Sequence, residues 1–273
     1  MHRLADHYFA LDAFARNAGR EVTAATYDED YDGTAQWKTN PASLENVVLR
    51  MFEAGHDRVL LKAGHGKQTM IRFDRADGFT LDTIRRDLHA FEWFPWHHVE
   101  GRVGAVLVQE YAPMEYKYRL RVIGGQLITG AGAINAFTPF NNEAPFDPKV
   151  DRHRYRDDQF MTAEADPYAN AVWGEAHPTA AVPETVRESV EARPDLVAAY
   201  LVFARTVVAE LATEVPEMAD YTLDVAMIGG RPAVVELNSH PNSGLYACDP
   251  NLIAQAVAHS PHLCEFGNPP AFG

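Results

Sequence analysis

The chain has 273 residues, of which 47% are hydrophobic, enough for the core of one large domain or two small ones. Its formal net charge of −14 opposes binding to phosphate backbones, so nucleic acid is not expected as the main partner. Cys248 and Cys264 show no metal-ligand spacing, which indicates reduced thiols and a cytoplasmic protein. We expect neither a signal peptide nor a membrane anchor, because the longest apolar helix, over 196–211, is short and carries charge.

Hydrophobic periodicity and turn residues predict short elements through the first part of the chain. In order, these are a helix over 6–18, a strand over 22–26, a helix after an N-cap at Ser43, a strand ending at Lys62, a glycine-rich turn over 64–68, a strand over 69–74, a helix over 80–94 and a strand over 105–111. The glycine-rich turn GHGKQ is not a Walker motif, since its spacing is wrong and no Ser or Thr follows the lysine.

A first hairpin is predicted over 118–134, where two β-rich arms flank a pair of glycines. This turn places Arg121 opposite Ile128. It also puts Arg119 and Arg121 on one face, because alternate residues of a strand share a face.

The pattern then fails over 141–195, which is polar and punctuated by proline. Such a segment is typical of a long excursion or lid. Its basic residues could meet an anion, although a solvated loop balanced by nearby aspartates is the simpler interpretation. These basic residues are Lys149, Arg152, Arg154 and Arg156. A long helix over 196–212 follows.

A second hairpin, over 221–238, carries two carboxylates. With its turn at 229–231, Asp224 lies opposite Glu236, and Asn238 shares their face by alternation. Two facing carboxylates repel, so a cation is expected between them. Oxygen ligands from Asp, Glu and Asn suit Mg²⁺ completed by phosphates. The alternative is a surface hairpin whose polar face meets water.

Phosphate binding needs lysines at strand ends, glycine-loop N–H groups and arginines, and the chain supplies all three. Lys62 ends a strand, Gly64 and Gly66 follow it in a loop, and Arg119 and Arg121 share a hairpin face. The histidines, among them His97, His98 and His153, lack metal-site spacing and are expected to be ordinary packed or surface residues. His240 follows the carboxylate strand and is equally compatible with a ligand contact or a plain loop role.

The order of these parts resembles the ATP-grasp superfamily of ligases. The resemblance runs through QWKTNP, VLLKAGHGKQ, VLVQEYAP, YRLRVIGG and VVELN, and the ending NSGLYACDP looks like the compact clade noted for one arginine and two lysines. It implies an α+β fold of two subdomains with antiparallel sheets that grip ATP between them. The corresponding divisions are a short N-terminal segment over 1–35, an N-terminal subdomain over 36–112 and a C-terminal subdomain over 113–273, with the excursion at 141–195 inside it.

The resemblance also implies roles for individual residues. Those expected to bind the nucleotide are Lys38, Lys62, Gly64 and Gly66 at the phosphates, Gln109, Glu110, Tyr111 and Ala112 at the adenine hinge, and Glu115 at the ribose. Arg119 or Arg121 would steady the γ-phosphate and the acyl phosphate, and one or two Mg²⁺ would be held by Asp224, Glu236 and Asn238.

The implied activity is that of an ATP-dependent carboxylate–amine ligase, which forms an acyl phosphate that an amine attacks. It needs no protein nucleophile. ATP and Mg²⁺ are the expected cofactors, and a small-molecule or peptide carboxylate and amine are the expected partners. Only about 35 residues precede Lys38, so acceptor binding is expected from the excursion, another chain or a large acceptor.

Two other functions stay open at this point. A kinase on the same fold would leave the phosphate on its substrate. A nucleotide-binding module without turnover is disfavoured, because Lys62, both carboxylates and Asn238 are all present.

Overall fold

The computed structural model describes residues 11–28, 43–63, 70–78, 103–132, 144–152, 190–240, 243–245 and 247–260. They form two compact units, one drawn from 20–112 and the other from 11–19, 113–152 and 190–260. Each unit combines helix with an antiparallel sheet. The predicted α+β class with antiparallel sheets is therefore confirmed.

The elements, in chain order, are α1 (Asp12–Asn17), β1 (Val22–Asp28), α2 (Leu44–Glu53), β2 (Arg58–Ala63), β3 (Met70–Asp74), a short 3-10 helix (Arg75–Asp77), β4 (Val103–Glu110), β5 (Met114–Ile123), β6 (Gln126–Ala131), β7 (Lys149–Asp151), β8 (Val190–Ala192), α3 (Pro194–Glu214), β9 (Tyr221–Ile228), β10 (Arg231–Asn238) and α4 (Pro250–His259). The segment predicted over 1–35 thus supplies α1 to one unit and β1 to the other. The helix predicted over 80–94 lies outside the described residues.

The unit drawn from 20–112 is built on a four-stranded sheet in the order β1-β4-β2-β3. One face of α2 is apolar, and Val48 and Met51 pack there against Leu61 and Phe73 of the sheet. Ser43 stands at the N-cap of α2 as predicted, although its side chain makes no capping hydrogen bond. This small core fixes β2, whose second-to-last residue is the predicted phosphate ligand Lys62.

The other unit is built on a six-stranded antiparallel sheet in the order β10-β9-β5-β7-β8, with β6 also pairing with β5. Its two hairpins turn on Gly124-Gly125 and Gly229-Gly230, and all four glycines have φ between 56° and 77°. Two successive residues with positive φ define the tight hairpin turn that only glycine, asparagine or aspartate adopts readily. Both predicted hairpins are therefore confirmed.

The register of the first hairpin differs from the prediction. A bulge between Arg121 and Val122 makes Arg121 pair with Thr129, so the predicted pairing with Ile128 is wrong. An extra residue in one strand shifts every later partner by one. Arg119 and Arg121 lie on the same strand two residues apart and still share a face.

The second hairpin reaches the predicted pairing by a different route. Its turn has two residues instead of three, because Arg231 already pairs with Ile228. An irregularity between Val234 and Glu236 then advances the register, so that Glu236 pairs with Asp224. Without that bulge, Glu236 would have faced the opposite side of the sheet.

Two regions contain more regular structure than expected. The excursion predicted over 141–195 includes β7 and β8, which pair with each other and join the sheet at Lys117, while 153–189 lie outside the described residues. Helix α4 was not predicted, although Asp249 caps it by accepting hydrogen bonds from the N–H groups of Asn251 and Leu252.

Helix α3 has 21 residues and is long and apolar enough to cross a membrane by length and composition, contrary to the expectation from the sequence. One such helix is weak evidence, because core helices pass the same test. Its residues Tyr200, Ala204 and Leu211 are fully buried on one face. At its C-terminal end, Glu214 accepts hydrogen bonds from the N–H groups that begin α1, at 2.8 Å each.

Candidate functional site

Two rows of polar side chains cross β5, β9 and β10 in the larger sheet. Residues directly opposite one another, and residues two apart on a strand, project from the same face. The first row consists of Arg119, Asp224 and Glu236, and the second row consists of Arg121, Thr222 and Asn238. The hairpin residues singled out by the sequence are therefore brought together on one face.

Arg119 and Asp224 form a buried bidentate ion pair. The Nε of Arg119 donates to Oδ1 of Asp224 at 2.6 Å, and Nη2 donates to Oδ2 at 2.7 Å. Arg119 is 1% exposed and Asp224 is not exposed at all. Charge-assisted bonds of this fork geometry are among the strongest in proteins.

A second cation reaches the same carboxylates from β5. The Nζ of Lys117 lies 3.0 Å from Oδ2 of Asp224 and 3.8 Å from Oε1 of Glu236. Nη2 of Arg119 also lies 3.8 Å from Oε1 of Glu236. Two side-chain cations thus stand against two carboxylates, and the formal charges of the group sum to zero.

Lys117 was not among the predicted site residues. The signal was present in the alternation Lys117, Arg119, Arg121, which places three cations on one face of a strand. From the sequence alone, the neutralising cation is expected to be a metal; in the structure, Lys117 and Arg119 contact the carboxylates.

Arg121 in the second row holds the loop that follows β10. Its Nη2 donates to the carbonyl oxygens of Ser243, at 3.1 Å, and of Gly244, and Nη1 lies 3.1 Å from Nδ1 of His240. A guanidinium only donates, so Nδ1 accepts. The Nε2 of His240 then donates to the carbonyl of Val122 at 2.9 Å.

His240 is therefore neutral and held in the Nε2–H tautomer. Burial lowers its pKa, and the neighbouring Arg121 lowers it further against the opposing effect of the hydrogen bond to Val122. Cys248 is the buried thiol nearby. Burial raises the pKa of Cys248 to about 11, although Arg121 favours the thiolate. Neither group is poised to act as a nucleophile.

Three buried polar atoms beside the rows have no hydrogen-bond partner among the described residues. They are Nε of Arg121, Nδ2 of Asn238 and Oγ of Ser239. Buried polar groups are normally paired, so unpaired ones are candidates for ligand contact. The second row can therefore donate to an oxygen of a bound molecule.

The donor set suits Mg²⁺ in its chemistry. Asp224 and Glu236 face each other, and Asn238 on the same face carries a carboxamide oxygen. Carboxylate and amide oxygens are the ligands that this ion prefers. Across the described ranges, no three or more His, Cys, Asp or Glu side chains are grouped so that they could hold a metal ion. A metal would therefore rely on these two carboxylates, which Lys117 and Arg119 already contact.

The predicted hinge residues lie at the end of β4 in the other unit. Gln109 is buried, and its Oε1 accepts from Nε and Nη2 of Arg20 at 3.0 and 2.8 Å. The backbone N–H of Glu110 donates to the carbonyl of Glu21 at 2.9 Å. The Gln109 side chain and the Glu110 N–H are thus both used within the protein.

The remaining predicted nucleotide residues are placed as follows. Tyr111 donates its N–H to Arg58, whose guanidinium lies 5.5 Å from the Tyr111 ring centre, and Ala112 follows, partly buried. Lys62 is partly buried near the end of β2, and Glu115 is partly buried on β5. Those outside the described residues are Lys38, Gly64 and Gly66.

Comparison with known proteins finds likeness only at the level of structure. No protein-family model and no curated protein matches the chain. D-alanine–D-alanine ligase from Bacillus anthracis, complexed with ATP, is 11% identical, with 95% of this chain and 62% of that chain covered and a TM-score of 0.42. The RimK domain protein ATP-grasp from Sphaerobacter thermophilus is 14% identical, covering 96% and 67%, with a TM-score of 0.41. C-terminally truncated Cdc123 from Schizosaccharomyces pombe is 14% identical, covering 85% and 83%, with a TM-score of 0.40.

One of these matching structures carries the name ATP-grasp, which is also the superfamily that the sequence motifs resemble. The chain spans only 62% of the length of the ligase. With TM-scores this low, the family and the activity have to be inferred from the residues of the chain itself.

Proposed function

We propose that the chain is an ATP-dependent ligase of the ATP-grasp type, which activates a carboxylate as an acyl phosphate and transfers the acyl group to an amine with release of phosphate. The observation that carries the proposal is the first row, where Asp224 and Glu236 face each other and Arg119 binds one of them. The resemblance to the ATP-grasp superfamily implies the same roles: Asp224 and Glu236 as metal ligands and Arg119 or Arg121 at the phosphate. Phosphoryl transfer to a carboxylate depends mainly on positioned positive groups, and β5 places Arg119 and Arg121 on this face.

The residues that would hold Mg²⁺ are Asp224, Glu236 and Asn238. When bound, the ion would neutralise charge on the phosphates during transfer. Arg119 positions Asp224, because two of its nitrogens are bonded to that carboxylate. Arg121 is the better candidate to contact a transferring group, since its buried Nε is unpaired within the described residues.

No covalent protein intermediate is part of the proposal. The buried Cys248 has a raised pKa and stays a thiol near neutral pH. His240 donates through Nε2 to a backbone carbonyl and is fixed by Arg121. The acyl group therefore passes directly from phosphate to amine.

One observation favours a second candidate, a nucleotide-binding module without turnover. The first row is already neutralised by Lys117 and Arg119, as a purely structural ion cluster would be. Such a module would bind Mg-ATP but would release no phosphate.

The test is the melting temperature with and without Mg-ATP for the wild type, Glu236→Gln and Glu217→Gln. Glu217→Gln is the matched control, because Glu217 is exposed and its substitution removes the same charge. Nucleotide at a hundredfold excess over Kd adds about 2.7 kcal/mol of stability. We expect a magnesium-dependent rise in the wild type and Glu217→Gln that is absent in Glu236→Gln.

Product analysis then separates the candidates. Phosphate release that requires both a carboxylate and an amine supports the ligase, and phosphate retained on the substrate identifies a kinase. A nucleotide-dependent shift without turnover on any carboxylate and amine supports the non-catalytic module. No shift with any nucleotide would refute the ATP-grasp proposal.

A further inference from the structure

Lys117 occupies the position in which a divalent ion would neutralise the two carboxylates. Its ammonium lies 3.0 Å from Asp224 Oδ2 and 3.8 Å from Glu236 Oε1, and its side chain is only 11% exposed. The residue lies in an irregular part of β5, where the register with β9 shifts between Glu115 and Tyr118 and Tyr116 has φ of 57°. A bulge of this kind re-aims a side chain, here onto the acidic pair.

An ammonium and a divalent ion compete for the same oxygens. Oδ2 of Asp224 already accepts from Nη2 of Arg119 as well as from Lys117. The first row and Lys117 together have no net formal charge, so an added divalent ion would face two nearby cations and make the group positive. One of the two cations has to leave the carboxylates when the metal binds.

Lys117 is the cation that can leave. Arg119 is 1% exposed, is held by two bonds to Asp224 and lies 3.3 Å from the carbonyl of Gly244. Lys117 contacts Asp224 and Glu236 through one ammonium at the end of a flexible four-carbon stem, and its side chain is 11% exposed against 1% for that of Arg119.

We propose that Lys117 is an exchangeable counter-ion, which neutralises Asp224 and Glu236 when no metal is bound and is displaced when a divalent cation binds. This inference rests on the proposed function, since it assigns the metal to the same carboxylates. It predicts the opposite of what a metal-supporting residue would show: removing Lys117 strengthens metal binding.

The test is a titration of the full chain with Mn²⁺ alone, without nucleotide, by calorimetry. Lys117→Gln is expected to bind Mn²⁺ at least about tenfold more tightly than the wild type. Lys149→Gln is the matched control, because Lys149 is exposed and its loss changes the net charge by the same amount. It should bind within about twofold of the wild type.

A second readout follows folding without any activity measurement. Without metal, Lys117→Gln should melt below the wild type, because Asp224 and Glu236 lose a shared counter-ion, and Mn²⁺ should restore most of the difference. Lys117→Arg keeps a cation and should bind Mn²⁺ within about threefold of the wild type. The Lys117→Arg variant remains informative if Lys117→Gln does not fold.

Equal or weaker Mn²⁺ binding by Lys117→Gln overturns the inference, as does tenfold tighter binding by Lys117→Arg. If Mg-ATP still raises the melting temperature of the wild type, the proposed function stands even though the inference about Lys117 is wrong. If no variant binds Mn²⁺ and Mg-ATP does not change the melting temperature, both the proposed function and the inference about Lys117 are refuted.

Discussion

Replacing Asp224 by Asn should destabilise the protein strongly through the loss of one charge. Asp224 is fully buried and accepts charged donors at 2.6, 2.7 and 3.0 Å from Arg119 and Lys117. Removing one partner of a buried ion pair costs roughly 3–5 kcal/mol, since the other charge stays buried without compensation. Glu236 remains 3.8 Å from both cations, so we expect the lower part of this range, about 3 kcal/mol.

At this chain length, each kcal/mol moves the melting temperature by about 2–4 °C, so the shift should be roughly 6–12 °C downward. Circular dichroism on heating, in buffer without metal or nucleotide, measures it. Asp195→Asn is a matched control. Nε and Nη2 of Arg193 donate to the two carboxylate oxygens of Asp195, at 3.1 and 3.0 Å, in the same bidentate geometry but on the surface.

An exposed ion pair of this kind contributes little to the free energy of unfolding, so Asp195→Asn should not change the melting temperature measurably. The two variants differ in burial while the chemistry of the substitution is the same. Equal shifts for both, or no shift for Asp224→Asn, would refute the argument that burial gives the first row its energetic weight.

Two further predictions concern the surroundings of the rows. A Cβ added at Gly132 would lie 2.5 Å from the Cα of Val150 and 2.7 Å from the backbone nitrogen of Asp151, so Gly132→Ala should cost about 1–3 kcal/mol. Urea unfolding measures this, and an unchanged midpoint would contradict the close approach of Gly132, the residue after β6, to β7. In a Cys264→Ser background, Cys248 should react with a disulfide reagent at pH 8 about a hundredfold more slowly in the native protein than in guanidinium, because burial raises its pKa from 9.0 to about 11. Similar rates in the two states would show that the thiol is accessible.

Prediction from the sequence worked best where a structure depends on residues close together in the chain. Both glycine pairs gave tight hairpins, because backbone φ above zero is a local requirement that glycine meets without steric cost. The strand ending near Lys62 and the long helix α3 also follow local apolar patterns.

Register could not be predicted in the same way. The bulges at Arg121 and at Val234 depend on how the strands twist and pack, which no local pattern encodes. One bulge moved the partner of Arg121 from Ile128 to Thr129. The other compensated for a turn that is one residue shorter than predicted, so the pairing of Asp224 with Glu236 was right for an incomplete reason.

Facing carboxylates require positive charge, but the sequence does not determine which cation supplies it. In the fold, Arg119 reaches Asp224 from a strand 105 residues away, and Lys117 reaches it from the same strand. With these two cations the acidic pair is already neutral, so a divalent ion that enters alone would leave a surplus of positive charge. A polyphosphate arriving with the metal would remove that surplus. Charge balance in the first row therefore favours entry of the metal as its nucleotide complex, with Lys117 neutralising the carboxylates until then.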